Sequence, residues 1–276
     1  MMAAIGDASN VIAWPLLLWV WLGSALAMAG VWAYARSASN IGYVDVAWAA
    51  LMGLMAVAVA LGSHGAIMPR CLVATLVALW ALRLAHHLFV RVHNRPEDGR
   101  YDYLRQHWQG NQGKFFVFFQ LQAIIVTLFA LPLLVAASNP IGAITAWTVA
   151  ALTVWVLAVG GESIADRQLA AWVANPANKG ATCRSGFWAW SRHPNYFFEW
   201  LHWFAYALLA IGAPMAWLAL SGPLLMFAFL YRVTGIPYTE AQSLRSRGDD
   251  YRAYQREVSA FFPWPPRRAA SADKNN

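Results

Sequence analysis

Seven stretches of this sequence stay apolar for long enough to cross a lipid bilayer, and that feature excludes most soluble folds. A hydrocarbon core of roughly 30 Å takes about 20 apolar residues as an α-helix. The stretches lie at about 11–35, 42–62, 69–91, 115–137, 141–162, 196–212 and 215–232. The last two are separated only by Gly212-Ala213-Pro214, so they predict a helical hairpin. Of the 276 residues, 59% are hydrophobic and 12% are charged, about half the charge of a soluble domain. Sixteen Trp fit the same reading, because indole favours the membrane–water boundary. The sequence therefore predicts an all-α polytopic membrane protein. One transmembrane domain spans 1–268, and a disordered polar tail covers 269–276.

The cations predict an orientation. Arg91, Arg95, Arg100, Arg105 and Lys114 fall between the third and fourth stretches, and Arg167, Lys179, Arg184 and Arg192 between the fifth and sixth. Eight more lie at the end of the seventh and beyond it, from Arg232 onward, whereas the opposite side holds little beyond Arg70. By the positive-inside rule, loops 92–114 and 163–195 and the C-terminus are cytoplasmic, together forming a small cap, and the N-terminus is outside. The N-terminal MMAAIGDASN has no Lys or Arg, so the first helix is expected to be retained rather than cleaved. The net charge of +7 is thus a topology signal, not a nucleic-acid signal. Cys71 and Cys183 fall on opposite faces, so no disulfide is expected. The tail from Thr234 reads as a turn at Gly235–Pro237, a short helix, a break at Gly248 and a second short amphipathic helix, ended by FFPWPP.

Ionisable groups inside a membrane helix cost about 2.5–3.5 kcal/mol at its centre, so each needs a reason. Asp45 sits in the first turns of the second helix. It suits either an acid on the helix dipole or a carboxylate lining a pocket mouth. Arg83, His87, Arg91 and Asn94 lie near one face of the third. Arg91 fits snorkelling, and Arg83 with His87 an inward polar face. His86 and His87 are adjacent and point apart, with no third ligand at a useful spacing, so no metal site is expected. Glu162 and Asp166 share a face, either as a solvated helix end or as acceptors for Arg or ribose hydroxyls. The densest stretch is WAWSRHPNYFFEWLHWF, Trp188 to Phe204. On a helix starting at Pro194, residues Asn195, Glu199 and His202 share a face, with Arg192 and His193 at its rim. Interhelical hydrogen bonding explains part of this polarity. A basic cap over polar helix faces suits a phosphorylated ligand reaching in beside an apolar substrate. No GxGxxG follows a strand, so a Rossmann domain would not hold it.

These segments resemble a family. GFWAWSRHPNYFFEW, with ADRQLAAWVANPANKG before it and TGIPYTEAQSLRSRGDDYRAYQREVSAFFP after it, is similar to the bacterial DUF1295 proteins of the steroid 5α-reductase C-terminal superfamily. NIGYVDVAW and LWALRLAHHLFVRVHNRPEDGRY narrow the resemblance to that group, and it covers about 40–264. It implies a seven-helix reductase of the bacterial inner membrane that uses NADPH on an activated C=C bond of a steroid, enone or isoprenoid. It places Asn195 and Glu199 by the nicotinamide and ribose. It places Asn94, Asp166, Arg192, Tyr196, Tyr254 and Arg256 along the rest of the nucleotide, the last two loosely aligned. Steroid reductases polarise their substrate with a Tyr and a Glu. The matching places here hold Arg83 and Asp45, which become the expected catalytic pair. RHPNY and the tail also resemble isoprenylcysteine methyltransferases, which use S-adenosylmethionine. A third reading is a non-enzymatic membrane protein that binds sterol or lipid. None of the three requires an obligate protein partner.

Overall fold

The computed structural model describes residues 12–93 and 95–267. The expected helix start at 11, Asn94 and the tail 269–276 lie outside the described residues. The elements are α1 (Pro15–Ser37), α2 (Tyr43–Gly62), α3 (Ile67–Val92), α4 (Gly99–His107), α5 (Gln112–Ala137), α6 (Ala146–Ala174), α7 (Pro194–Leu209), α8 (Ser221–Ala228) and α9 (Ile236–Glu257). Among the described residues the only strand-like feature is an isolated bridge between Ser191 and Ser259. The chain is an all-α integral membrane protein. Five helices, α1, α2, α3, α5 and α6, and the helical run Ala216–Glu257 are long and apolar enough to cross a membrane. That is six among the described residues, against about seven expected. The difference is α7, whose 16 residues reach only about 24 Å at 1.5 Å per residue.

Three elements depart from the sequence reading. α6 runs on to Ala174 because SIADRQLAAWVA holds good helix formers and no Gly or Pro. The apolar run 215–232 is a 3₁₀ turn Ala216–Leu220, then α8, then a π-helical turn Phe229–Val233. The loop 92–114 contains α4, whose N-terminus Asp98 caps through the backbone N–H of Arg100. The tail matches its expectation, with Gly248 leaving helical geometry at φ 52°, ψ −121° inside α9.

The chain divides into two compact units. The first takes the chain up to Ala151 together with Ala205–Gly222. Within it α2 packs on α3, α1 on α5, and α2 on α1 and α5. A Cβ on Gly53 would stand 3.0 Å from the Cβ of Ala81, which shows how closely α2 and α3 approach. Arg70 caps the end of α2, donating from Nε to the carbonyl of Ala60 (2.6 Å) and from Nη2 to that of Leu61 (2.9 Å). The one cation expected on that side therefore satisfies helix-end carbonyls. Nearby, the Ala66 N–H donates to the Asn139 carbonyl, and Asn139 Nδ2 donates to the carbonyls of Leu209 and Ile211. Gly65 lies in this joint, and a Cβ there would stand 2.2 Å from the carbonyl oxygen of Ala137. Backbone cannot swing aside as a side chain can. Gly65→Ala is expected to cost about 1–3 kcal/mol, the usual penalty of overpacking. It should appear as a lowered melting temperature in detergent by intrinsic fluorescence.

The second unit takes Leu152–Phe204 and the chain from Pro223 onward. It holds most of α6, the loop 175–193, most of α7 and α8, the π-helical turn and α9. Eight of the 22 residues of α9 are charged, so α9 lies outside the membrane-spanning part of its helical run. An aromatic cluster joins the unit: Phe261 packs against Phe197, Trp200, Phe227 and Tyr231, with ring centroids 5.3–6.0 Å away.

Candidate functional site

In the second unit the SRHPNY motif is a joint. Ser191 is fully buried. Its Oγ donates to the Phe261 carbonyl (2.8 Å) and accepts from the His193 N–H (3.1 Å). The Arg192 N–H donates to the carbonyl of Ser259, which docks the C-terminal segment onto the start of α7. Loop 185–190 lies along α6, since Trp188 Nε1 donates to the Ala165 carbonyl and the Phe187 N–H to Gln168 Oε1 (both 3.0 Å). Gly186 permits that contact. Its φ is +60°, and a Cβ there would fall 2.3–2.5 Å from the Gln168 side chain.

Glu240 of α9 is the hub of the cap. Its carboxylate accepts from Arg192 Nε (2.6 Å), from His193 Nε2 (3.3 Å) and from Gln255 Nε2 (2.9 Å). Burial pushes this carboxyl up, but the hydrogen bonds of His193 and Arg192 and the Arg192 charge outweigh it and hold it at about 2. Burial also pushes His193 below its ordinary value, and against the Glu240 carboxylate its Nε2 is the donor. Arg192 Nη1 donates to the carbonyls of Gln255 (3.1 Å) and Val258 (2.7 Å). The hydroxyl of Tyr254, 1% exposed, lies on the carbonyls of Trp188 and Ser191. Arg192 and Tyr254, both expected along a nucleotide, thus brace the loop, α7 and α9 against one another.

The other expected residues lie along the facing sides of α6 and α7. Asn195 Nδ2 donates to Asp166 Oδ1 (3.2 Å), and Asn195 Oδ1 accepts from the Tyr196 N–H. The Tyr196 ring stacks on His193, centroids 5.3 Å apart and planes at 11°. One turn along, a Cβ on Gly161 would fall 2.4 Å from the Phe198 ring, so the helices are close and antiparallel there. Stepping one turn from the Asp166–Asn195 contact brings Glu162 level with Glu199. Both are buried, at 4% and 7% exposure. His202, one further turn along α7, is fully buried and donates from Nδ1 to the Glu199 carbonyl (2.6 Å). Arg256 is exposed in the last turn of α9.

In the first unit the NIGYVDVAW and HNRPEDGRY motifs meet. Asn40 Nδ2 donates to the carbonyls of Val92 and Arg95, and the Ile41 N–H donates to Glu97 Oε1 (2.7 Å). Arg105 grips Glu97 through Nε and Nη2 (2.7 and 2.9 Å). Asp45 accepts from Arg100 Nη2 (2.6 Å) and from the Tyr101 hydroxyl (2.7 Å). Tyr101 is 2% exposed, and burial, helped by the Asp45 charge, pushes its phenol well above the usual range. Asp45 therefore has a structural task, holding α4 to α2. Arg83 is half-buried, six residues along α3 from the level of Asp45 if α2 and α3 step antiparallel from Gly53–Ala81, or about 9 Å. No three His, Cys, Asp or Glu side chains among the described residues gather around a common ion position. The expected nucleotide contact Asn94 lies outside the described residues.

A family model described as a protein of unknown function, DUF1295, matches residues 31–258. The chain belongs to the DUF1295 family. No curated protein and no solved structure matches it. Apart from Ser259 and Phe261, the residues of both clusters lie within the matched span. The residues that sequence reasoning missed are Glu240, Gln255, Glu97, Arg100 and Tyr101 of this DUF1295 chain. Each sits in a motif quoted above, but its partner is distant in sequence, 48 residues away for Arg192–Glu240 and 56 for Tyr101–Asp45. Spacing along one helix gives no sign of such pairs.

Proposed function

We propose that this DUF1295 chain is an NADPH-dependent membrane reductase of an activated C=C bond in an apolar, lipid-like substrate. The observation that supports the reading most is the polar seam of the second unit, with buried Glu162 and Glu199 level with one another beside the Asp166–Asn195 bond. Buried carboxylates on membrane helices commonly mark functional sites. The donor set fits a phosphorylated ribose nucleotide. Carboxylates and an amide suit ribose hydroxyls and a carboxamide, and exposed Arg256 suits a phosphate. Arg192 and Tyr254 serve it indirectly, by fixing the start of α7.

NADPH, when bound, supplies the hydride. In this reading Asn195, Glu199 and Asp166 orient the nicotinamide and ribose, and Tyr196 and Arg256 hold the rest. Arg83 and Asp45, both in the first unit, are the residues that the family resemblance assigns to polarising a substrate carbonyl and to orienting the substrate. The cap faces the cytoplasm of a bacterial inner membrane, with the N-terminus outside and α7 as a seventh, short crossing.

The decisive experiment is calorimetric titration of the purified protein in nanodiscs with NADPH and S-adenosylmethionine side by side. NADPH is expected to bind with micromolar or tighter affinity and S-adenosylmethionine to give no heat. Binding of the latter alone overturns the reductase reading in favour of methyl transfer. Binding of neither favours the lipid-binding reading.

A further inference from the structure

The C-terminal segment Val258–Arg267 carries an aromatic patch that the proposed chemistry does not use. Phe262 is 50% exposed, Trp264 70% and Trp190 48%. The segment is firmly placed. The Trp264 N–H donates to the Trp190 carbonyl (3.0 Å), Phe261 is buried, and the Arg267 N–H donates to the Glu257 carbonyl (2.8 Å). The patch is therefore held on the surface by backbone bonds on both sides.

Its level within the second unit follows from two independent contacts. The Phe262 ring meets Phe197 and Trp200 on the first two turns of α7 and Phe227 at the end of α8, with centroids 5.7–6.3 Å apart. The segment follows directly from the charged helix α9, and the Arg267 N–H bonds back to the Glu257 carbonyl at its end. Separately, Trp188 reaches the Ala165 carbonyl, where α6 turns from apolar sequence into ESIADRQ. Both contacts put Trp190, Phe262 and Trp264 where apolar membrane helices give way to charged structure. Indole and phenyl groups at that level suit the headgroup–acyl boundary, which accepts an apolar ring and a polar N–H together.

We propose that Trp190, Phe262 and Trp264 form a lipid-facing anchor that seats the cap of the second unit on the bilayer interface. The surface is continuous with the membrane-crossing helices, so its partner is the boundary of the lipid that surrounds them.

Site-directed spin labelling tests this. In a Cys71→Ser background, Phe262→Cys, Trp264→Cys and Arg252→Cys are each labelled with a nitroxide. The full-length proteins are placed in phosphatidylcholine–phosphatidylglycerol vesicles. Power saturation then compares access to oxygen, which partitions into lipid, with access to an aqueous nickel chelate. Labels at 262 and 264 are expected to favour oxygen over nickel by several fold relative to the label at 252. Nickel access at 262 and 264 equal to that at 252 overturns the proposal, and so does shielding from both reagents, which indicates a protein partner. All three changes replace exposed side chains, and an unchanged thermal transition confirms folding.

Discussion

Glu240→Ala is expected to give the largest loss of stability of any single substitution in the cap. The change leaves the Arg192 guanidinium, its side chain 11% exposed, without a counter-charge, and leaves Gln255 and His193 each short of an acceptor. Breaking a buried ion pair by removing one partner costs about 3–5 kcal/mol, because the surviving charge stays desolvated. Glu240→Gln should cost less, since an amide oxygen still accepts from Arg192 Nε. Melting curves of both variants in detergent, read with protease cleavage in loop 175–190, measure the effect. Equal stability of wild type and Glu240→Ala would remove the hub from this account. The same cluster sets a pH dependence. His193 has a lowered folded pKa, so the unfolded chain takes up its proton first and stability starts to fall below the ordinary value of 6.5. Glu240 is held at about 2 against 4.5, so its contribution is complete above 4.5 and is lost as pH falls towards 2. Both act in one direction. The melting temperature should be flat above neutrality and decline in two stages on acidification. Glu240→Gln should weaken the lower stage, to which Asp98 and Asp250, both held below their ordinary values, also contribute.

The membrane class was legible because it depends on run length alone, and the apolar runs map onto α1, α2, α3, α5 and α6 with boundary shifts. The break at Gly248 was legible because glycine inside a charged helical pattern has few other roles. The π-helical turn Phe229–Val233 was not, because hydropathy does not distinguish hydrogen-bond registers. At the site, spacing along one helix identified the Asn195–Glu199–His202 face and the Glu162–Asp166 face, and the structure aligns these two faces. What spacing could not supply was the destination of each polar group. Arg192 reads as a phosphate ligand from its charge and its place before α7, yet Glu240 and two carbonyls hold it. Tyr254 reads as a nucleotide contact, yet its hydroxyl satisfies loop carbonyls. A motif marks which residues matter to a fold and its site together, and only the tertiary partners separate the two.

That separation makes the second large prediction specific. Asn195→Ala and Glu199→Ala should each weaken NADPH binding by roughly ten- to a hundred-fold, the worth of one hydrogen bond to a charged group at about 1.5–3 kcal/mol. Glu162→Gln should produce a loss of similar size if the level partner of Glu199 faces the same ligand. Arg256→Ala should act differently. As an exposed cation it should lower affinity modestly, and the salt dependence of binding should become shallower. Arg192→Ala should lower affinity only together with the melting temperature, because its bonds all run to the cap. Calorimetric affinities plotted against melting temperatures for the five variants test this directly. Asn195, Glu199 and Glu162 should lose affinity at nearly unchanged stability, while Arg192 should fall on both axes. If affinity simply tracks stability across all five, the seam between α6 and α7 is a packing feature, and the nucleotide must be sought elsewhere on the molecule.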